Sequence, residues 1–408
     1  MQKTNRLFEN IEKLLGETKS FPTPFFLVDE TLIENNLKIL QHVKNKSGAK
    51  ILLAQKAFSC YDTYPLIEKY LDGTTASGLY EAKLANEHFN GENHVFAPSF
   101  SDRDIKEIAK ICTHIVFNSV TQLNYHYEFV KSNGLSVSLR LNPQHSTQDG
   151  GIYDPCAPHS RFGTLASNDF FNQPDTHKML DGLHFHTLCQ QGFKDLESTF
   201  DVFEKRFGEF FKKLCNHKTR NHKTYLNLGG GHHITRDDYD LDGIIKLIKK
   251  IRQTYDCDIY LEPGEAVVLN SGYLISSIMD IVNNDGGIVI MDTSAACHNP
   301  DIIETQHSYV PKIFDAKNVD LKSIRNERIY RLAGNTCLSG DIIGDYEFEK
   351  KLDVGDRLVF SDMALYTIVK GNTFNGIPLP SIYIRRLGGE IELLRQPHYL
   401  DFKSRLGK

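Results

Sequence analysis

The chain has 408 residues, and its 47 Lys+Arg against 52 Asp+Glu give a formal net charge of -5. Hydrophobic residues make up 40% and charged residues 24%, which excludes disordered and fibrous proteins. The basic residues are dispersed along the sequence, so we expect no nucleic-acid partner. At this length two domains are the default expectation, because single hydrophobic cores rarely grow so large.

The cysteines and the N-terminal segment indicate a cellular compartment. The 8 cysteines are widely spaced and include no C-x-x-C pair that would indicate a structural zinc or a redox motif. The first residues are amphipathic and charged, without the continuous apolar stretch of a signal peptide, and no later segment reaches membrane-spanning length. We therefore expect a cytoplasmic protein without a membrane partner.

In chain order, a strand is predicted at 23–28 and a helix at 32–43. From Lys50 onward, short apolar runs alternate with amphipathic helical stretches, and eight runs precede Pro263. Eight strands that alternate with helices are typical of a (β/α)₈ TIM-like barrel. The predicted barrel strands are 51–54, 74–77, 94–97, 114–117, 136–141, 182–187, 225–228 and 258–262.

After Glu262 the pattern changes to strand-like runs separated by Gly, Asp and Pro, as in GGIVIMDTS and PSIYIRRLGG. This predicts a second, all-β domain, which the early strand at 23–28 joins. We expect the barrel to span 30–265, and the β domain to comprise 1–29 and 266–408. The connection 142–181 is too long for an ordinary β–α loop, so we expect it to flank the site.

In such barrels the functional side chains lie at the C-terminal ends of the strands. The candidate site residues predicted to lie there are Lys56, Arg140, His186, Gly229, Gly230, Gly231 and Glu262. Desolvation at the mouth favours neutral lysine, a nucleophile that condenses with an aldehyde. The glycines could hold a phosphate with their N–H groups and a following helix N-terminus, and Glu262 could face a pyridine nitrogen.

Each of these features also has an ordinary structural explanation. Lys56 could be a lysine that extends from a strand end into solvent, the glycines a tight turn, and Glu262 a helix-capping or salt-bridged residue. His184 and His186 are two apart and share a face, so they could instead bind a metal, or His184 could be a core histidine. Cys337 and Tyr366 could each be buried apolar residues or site residues.

Together these residues resemble the barrel-type pyridoxal 5'-phosphate (PLP) decarboxylases of the alanine-racemase fold, fold type III. This family includes the ornithine, diaminopimelate and arginine decarboxylases, and the resemblance covers nearly the whole chain through LAQKAF, HFHTLC, GGG, EPG and the GNTCLSGD region. It implies PLP as cofactor, no metal, Lys56 and Cys337 as catalytic residues, and a homodimer in which Cys337 comes from the partner subunit. The residues that it implies for cofactor binding are Lys56, His186, Gly229, Gly230, Gly231, Glu262, Tyr366 and, at the same mouth, Arg140.

Two departures from the common family pattern narrow the substrate. Glu265 stands where an arginine is expected after EPG, and Leu338 stands where an acid is expected after the cysteine. With DTSAACHNPD and Asp341, these departures resemble the carboxynorspermidine/carboxyspermidine decarboxylase branch, which implies that Glu265 and Asp301 contact substrate, with Asp341 expected beside them. Replacing Arg by Glu exchanges an anion site for a cation site.

The resemblance therefore implies decarboxylation of carboxyspermidine or carboxynorspermidine to spermidine or norspermidine in polyamine biosynthesis. The two substrates differ by one methylene, so the sequence does not choose between them. The alternatives are a decarboxylase of diaminopimelate, ornithine or arginine, a racemase of the same fold, a metal-dependent barrel hydrolase, and a non-catalytic PLP-binding protein.

Overall fold

The computed structural model describes residues 11–148, 152–217, 223–320 and 327–407. The described chain forms two compact units. One runs from Ile33 to Leu269, and the other comprises the residues up to Leu32 together with those from Asn270 onward. No helix in the described ranges combines the length and the apolar character that crossing a bilayer would require.

The unit from Ile33 to Leu269 contains a closed barrel of parallel strands. Each strand pairs with the next, and Tyr260 of the last strand pairs with Lys50 of the first. This confirms the predicted fold, with strand ends that differ from the prediction by at most three residues. The first to eighth barrel strands are Lys50–Ala54, Gly73–Ala76, Glu92–Phe96, His114–Phe117, Ser136–Asn142, Gly182–His184, Tyr225–Asn227 and Asp258–Leu261.

Helices alternate with these strands, and three of them are preceded by a residue whose side chain caps the first turn. Ser101, Ser119 and Asp240 each accept a hydrogen bond from a backbone N–H in the first turn of the helix that follows. The helices are Glu30–Ser47, Tyr64–Ile67, Leu79–His88, Asp102–Ile111, Val120–Ser132, Phe193–Cys215, Leu241–Tyr255 and Glu265–Val268.

The longest helix, Phe193–Cys215, supports the strand that carries the site histidines. Phe200, Phe203 and Phe207 recur at helical spacing on one face and are almost fully buried. The ring of Phe203 lies 5.4 Å from that of Phe185, centroid to centroid, and Phe185 directly follows the sixth barrel strand. Apolar packing therefore holds this strand end from outside the barrel.

The long connection after the fifth barrel strand is ordered by pairing and by turns in its described part. Thr164–Leu165 forms a short strand beside Leu141 and Asn142. Two 3₁₀ turns follow, Asp169–Phe171 and Thr176–Met179. The connection thus extends the sheet at the rim of the barrel where the fifth strand ends.

The second unit consists mainly of sheet. The strand Phe25–Asp29 runs antiparallel to Gly272–Asn283 and parallel to Ser381–Arg385, so it lies within the sheet of this unit. Its strands are Phe25–Asp29, Gly272–Asn283, Gly287–Met291, Ala316–Asn318, Ile329–Ala333, Ile342–Phe348, Arg357–Ser361, Ser381–Arg385 and Ile391–Arg395.

The all-β prediction for this unit was incomplete. It missed the strand Ile342–Phe348, in which Gly344 and Asp345 are residues typical of turns, although the strand pairs along its length with Ile329–Ala333. It also missed the strand Ala316–Asn318. Short helices are present as well: Ile11–Glu17, Ala295–His298, Asp301–Glu304, Thr367–Lys370 and Tyr399–Lys403.

Phe203→Ala should lower the free energy of unfolding by about 3–5 kcal/mol, because it leaves a cavity beneath the sixth barrel strand. Lys213→Ala, at an exposed position of the same helix, should change it by less than about 0.5 kcal/mol. Urea unfolding followed by far-UV circular dichroism measures both. Equal midpoints for the two variants would contradict the packing argument.

Candidate active site

Lys56 lies two residues beyond the first barrel strand, and its side chain is exposed to solvent. Its Nζ is 3.4 Å from Nε2 of His186. Desolvation by surrounding protein lowers the pKa of Lys56 below its usual 10.5, the charge of Arg140 lowers it further, and the carboxylates of Glu262 and Glu265 oppose the shift. The amine is thus accessible and more readily deprotonated than an ordinary lysine.

The backbone fixes the tautomer of His186. Gly230 donates its N–H to His186 Nδ1 at 3.1 Å, so Nδ1 carries no proton. Desolvation and the nearby charges of Lys56 and Arg140 hold the pKa of His186 well below 6.5, so the ring is neutral and its proton lies on Nε2. The Nε2–H group of His186 can donate a hydrogen bond to Lys56 only if the lysine is a neutral amine, because an ammonium nitrogen has no lone pair to accept it.

Glu262 directly follows the eighth barrel strand, and its carboxylate is 8% exposed. Asn227 Nδ2 donates to Oε1 at 2.8 Å, and His184 Nε2 lies 3.3 Å from Oε2. Burial alone would raise the pKa of Glu262, but the hydrogen bonds from His184 and Asn227 hold it below its usual value. The site therefore contains a buried carboxylate that stays ionised at neutral pH.

The three glycines connect the ends of the sixth, seventh and eighth barrel strands. Gly229 and Gly231 have left-handed φ values of 68° and 83°. A Cβ at Gly230 would lie 2.1 Å from the carbonyl oxygen of Glu262, and one at Gly231 would lie 1.8 Å from that of Leu188. Only glycine fits these positions, because neighbouring backbones approach so closely.

The prediction for the glycine N–H groups needs a correction. Gly229 donates its N–H to Asn227 Oδ1 at 2.9 Å, and Gly230 donates to His186, so two of the three groups are used inside the protein. No helix starts at the run, since the next one begins only at Leu241. Residues 232–240 contain turns instead of a helix, and His233 donates its N–H to the carbonyl oxygen of Gln191.

Arg140 is a buried support for His186. It is 4% exposed and donates from Nη2 to the backbone oxygen of His186 at 3.0 Å. Its guanidinium lies 4.5 Å from the ring centroid of Phe96 and 4.6 Å from that of Phe162. Burial lowers the pKa of Arg140 to about 10, so the guanidinium remains charged at neutral pH. Phe162 belongs to the long connection, which thereby helps to build the site.

Glu265 lies three residues beyond Glu262 and is also 8% exposed. Its Oε2 is 2.8 Å from His233 Nε2, and its Oε1 accepts from Gln190 Nε2 at 3.0 Å. Its charge is among those that raise the pKa of Lys56, so the two groups share one electrostatic environment. Sequence reasoning missed Gln190 and His233. The second histidine of the GGGHH motif was the available signal.

In the second unit, Cys337 is exposed on a loop that is held by hydrogen bonds. Its backbone N–H donates to Asn375 Oδ1 at 2.7 Å. Asp341 is 2% exposed and accepts from Ser294 Oγ at 2.9 Å and from Thr336 Oγ1 at 2.6 Å. Asp341 thus anchors the loop that presents the thiol, while its contact with substrate stays a prediction.

Asp301 and Tyr366 also lie in the second unit, near the side chain of Lys370. Lys370 Nζ is 2.6 Å from Asp301 Oδ1, contacts Glu304 as well, and lies 5.9 Å from the ring centroid of Tyr366. Tyr366 has a left-handed φ of 56°. The carboxylate of Asp301 therefore has a cationic partner within its own unit.

A polar cluster at the opposite end of the barrel also escaped sequence reasoning. Within the described ranges, Glu92, His94 and His114 are the one group of three metal-ligating side chains, with ligand atoms within 4.8 Å. Glu92 already accepts from Lys50 and Tyr260. The rings of His94 and His114 stack with their centroids 3.8 Å apart and an interplanar angle of 18°.

The fold and the mouth geometry define the class of protein: a (β/α)₈-barrel protein with a reactive amine, a neutral imidazole and a buried carboxylate at one rim. Residues 25–364 match the family model described as "Pyridoxal-dependent decarboxylase, C-terminal sheet domain". The carboxynorspermidine/carboxyspermidine decarboxylase of Campylobacter jejuni is 39% identical over 94% of this chain and 98% of that one. The carboxyaminopropylagmatine decarboxylase of Synechocystis is 36% identical over 95% and 96%, respectively.

Comparison with solved structures leads to the same family as comparison with sequences. The structure of C. jejuni carboxynorspermidine decarboxylase complexed with norspermidine has a TM-score of 0.84 and 38% identity, covering 94% of this chain and all (100%) of that one. Helicobacter pylori diaminopimelate decarboxylase shares the fold at a TM-score of 0.79 and 17% identity, covering 97% and 100%. The chain belongs to the pyridoxal-dependent decarboxylases, a family of carboxy-lyases, in the branch that contains the carboxynorspermidine/carboxyspermidine decarboxylases.

The environment of Lys56 predicts a measurable effect of Glu265. The Glu265 carboxylate stabilises the ammonium form of Lys56, so Glu265→Gln should lower the pKa of Lys56 further below 10.5. Competitive trace acetylation of cofactor-free protein across pH, quantified at Lys56 by mass spectrometry, measures this. Glu87→Gln, at an exposed position of another helix, should leave the titration unchanged. A rise in the pKa with Glu265→Gln would contradict the assignment.

Proposed function

We propose that this protein removes CO₂ from a carboxylated polyamine, carboxynorspermidine or carboxyspermidine, and releases norspermidine or spermidine in polyamine biosynthesis. The observation that carries the proposal is Glu265: a second buried carboxylate near Lys56, where the common family pattern has arginine. An anion at this position suits the amines of a polyamine and disfavours the distal carboxylate of diaminopimelate. The norspermidine bound by the C. jejuni relative supports this choice.

The residues of the barrel mouth fit pyridoxal phosphate. Lys56 offers an accessible amine, and Glu262 offers an ionised carboxylate with oxygen lone pairs beyond those used by Asn227 and His184. His184 Nδ1 is buried without a hydrogen-bond partner, which leaves its Nε2 as the donor toward Glu262. When bound, the cofactor supplies an electron sink for the carbanion that forms as CO₂ departs.

Each residue then has a defined task in the cofactor-binding barrel, residues 30–265. Lys56 would hold the cofactor through its amine, and His186, fixed by Gly230 and by Arg140, would contact the cofactor ring. Glu262 would keep a proton on the pyridine nitrogen of the cofactor, which would strengthen the electron sink. By the family pattern, the phosphate is held by Gly229, Gly230, Gly231 and Tyr366; since two glycine N–H groups are already used, Gly231 is the candidate donor within the run.

Cys337 is proposed as the acid that protonates the carbon from which CO₂ departed. Its exposed position on an anchored loop suits a thiol that serves a neighbouring subunit. We therefore propose a cytoplasmic homodimer in which each site combines Lys56 of one subunit with Cys337 of the other. Asp301 and Asp341 belong to the same unit as Cys337, so any substrate contact that they make is proposed to come from that side too.

A CO₂-release assay tests the function. Carboxynorspermidine, carboxyspermidine and carboxyaminopropylagmatine are compared with diaminopimelate and ornithine, and the absorption spectrum is recorded before and after borohydride reduction. We expect release from a carboxylated polyamine and a pyridoxyl label at Lys56 that is absent from Lys56→Ala. Release from diaminopimelate alone would overturn the proposed substrate, and colourless, unlabelled wild-type protein would overturn the cofactor.

Mixing Lys56→Ala and Cys337→Ala proteins tests the shared site. Each homodimer should be nearly inactive, and the mixture should regain up to about a quarter of wild-type activity after random subunit exchange, because one site in each heterodimer is intact. Native mass spectrometry confirms exchange. Absence of recovery despite proven heterodimers would mean that each subunit supplies its own thiol.

A further inference from the structure

The carboxylate of Glu265 is buried, and two polar side chains also contact it. His233 and Gln190 each approach a different oxygen of Glu265, at 2.8 and 3.0 Å. We propose that His233 and Gln190 are positioning residues that fix Glu265 as an oriented anionic subsite, which receives an ammonium group of the polyamine substrate. This inference rests on the proposed function and deepens it, since it assigns specificity to two residues outside the catalytic set.

His233 is held in place from its backbone. It is 8% exposed and lies two residues after the glycine run, where its N–H donates to the carbonyl oxygen of Gln191 at 3.1 Å. The ring reaches Glu265 through Nε2. The ring of His233 is buried, and its main chain is hydrogen-bonded to the neighbouring turn, so the ring has little freedom to move. It therefore fixes the direction of the Glu265 carboxylate.

Gln190 reaches Glu265 from a turn that is braced on several sides. Its left-handed φ of 56° is unfavourable for a residue with a side chain, and such strain persists only where surrounding contacts enforce it. Gln191 donates its N–H to Gly231 O at 3.1 Å and its side-chain amide to Thr147 O at 2.7 Å. Gln148 donates to Cys189 O at 2.7 Å. These contacts keep the Gln190 amide directed at the carboxylate.

The two donors leave binding capacity on Glu265. An ionised carboxylate has about four acceptor positions, so two remain for an ammonium group. Neither of these two partners is a lysine or an arginine, so neither adds a permanent positive charge at the carboxylate. Asp301 differs in this respect, because the ammonium of Lys370 lies 2.6 Å away. By this comparison, Glu265 is the stronger of the two predicted substrate carboxylates.

The same construction occurs at Glu262. A histidine Nε2 and a side-chain amide approach its two oxygens at 3.3 and 2.8 Å, from His184 and Asn227. The two glutamates of the sequence EPGE are thus each oriented by one imidazole and one amide. One carboxylate is assigned to the cofactor, and the other faces the same amine environment without a cofactor task. Because Glu262 and Glu265 are oriented in the same way, we infer that each carboxylate binds a ligand.

Steady-state kinetics on the holoenzyme with carboxynorspermidine and carboxyspermidine, using the better substrate, test the proposal. His233→Phe and Gln190→Leu should each raise KM by roughly 5–20-fold, as expected for loss of a hydrogen bond to a charged group, with kcat within about twofold. His233→Gln, which restores a donor, should recover part of the affinity. Gln253→Leu, exposed on the outer helix Leu241–Tyr255, should match wild type.

A double-mutant comparison separates positioning from general damage. If His233 acts through Glu265, His233→Phe should add less than about a twofold change in a Glu265→Gln background. Multiplicative effects, or a fall in kcat at unchanged KM, would overturn the proposal. If His233→Phe does not fold, Gln190→Leu decides it, because Gln190 is exposed. Wild-type protein that binds cofactor but turns over neither triamine would instead refute the proposed function.

Discussion

The site depends on closure of the barrel between its last and first strands. Ala54 donates its N–H to the carbonyl oxygen of Pro263 at 3.0 Å, just beyond the pairing of Tyr260 with Lys50. Gly264 permits this approach, since a Cβ there would lie 2.7 Å from that of Ala57. These contacts bring the segment of Glu262 and Glu265 beside the segment of Lys56. Residues from opposite ends of the barrel sequence thereby share one rim.

The protonation preferences of the groups at the rim of the barrel are compatible with one another. Desolvation lowers the pKa of Lys56 and of His186, while hydrogen bonds lower that of Glu262 despite its burial. The result is a neutral ring and a readily deprotonated amine beside a stable anion. Such pairs of groups with opposite protonation preferences are typical of enzymes that move protons near neutral pH. The neighbouring residues determine these protonation states as much as the titrating groups themselves do.

Much of the fold could be predicted from the sequence, because parallel barrel strands are buried on both faces and appear as continuous apolar runs. The strand Ile342–Phe348 could not, since Gly344 and Asp345 interrupt its apolar pattern. It forms by pairing with Ile329–Ala333 on one side and Ala316–Asn318 on the other. In the structure, Lys56, His186 and Glu262 follow the C-terminal ends of barrel strands, while their roles stay predictions. Gln190 and His233 were missed because their contact with Glu265 joins three separate segments that only the folded barrel brings together.

The use of the glycine N–H groups was also beyond sequence reasoning. A glycine run indicates close backbone approach, but it does not say whether a ligand or another strand is the neighbour. Here the neighbours of the Cβ positions are the main chains near His186, Leu188 and Glu262. The glycine run therefore first allows neighbouring strand ends to pack closely. A bound anion would have to be held by the N–H groups that the protein does not already use.

The pairing of Phe25–Asp29 with Ser381–Arg385 has a consequence for biosynthesis. The early strand leaves the ribosome long before its two neighbours in the sheet exist, whereas every barrel strand has been made once Leu261 emerges. Cotranslational folding should therefore complete the barrel first, while the early strand stays unpaired, with its backbone N–H and C=O groups and its apolar side chains exposed. A nascent chain of this kind is a natural client for chaperones that shield such edges until translation ends.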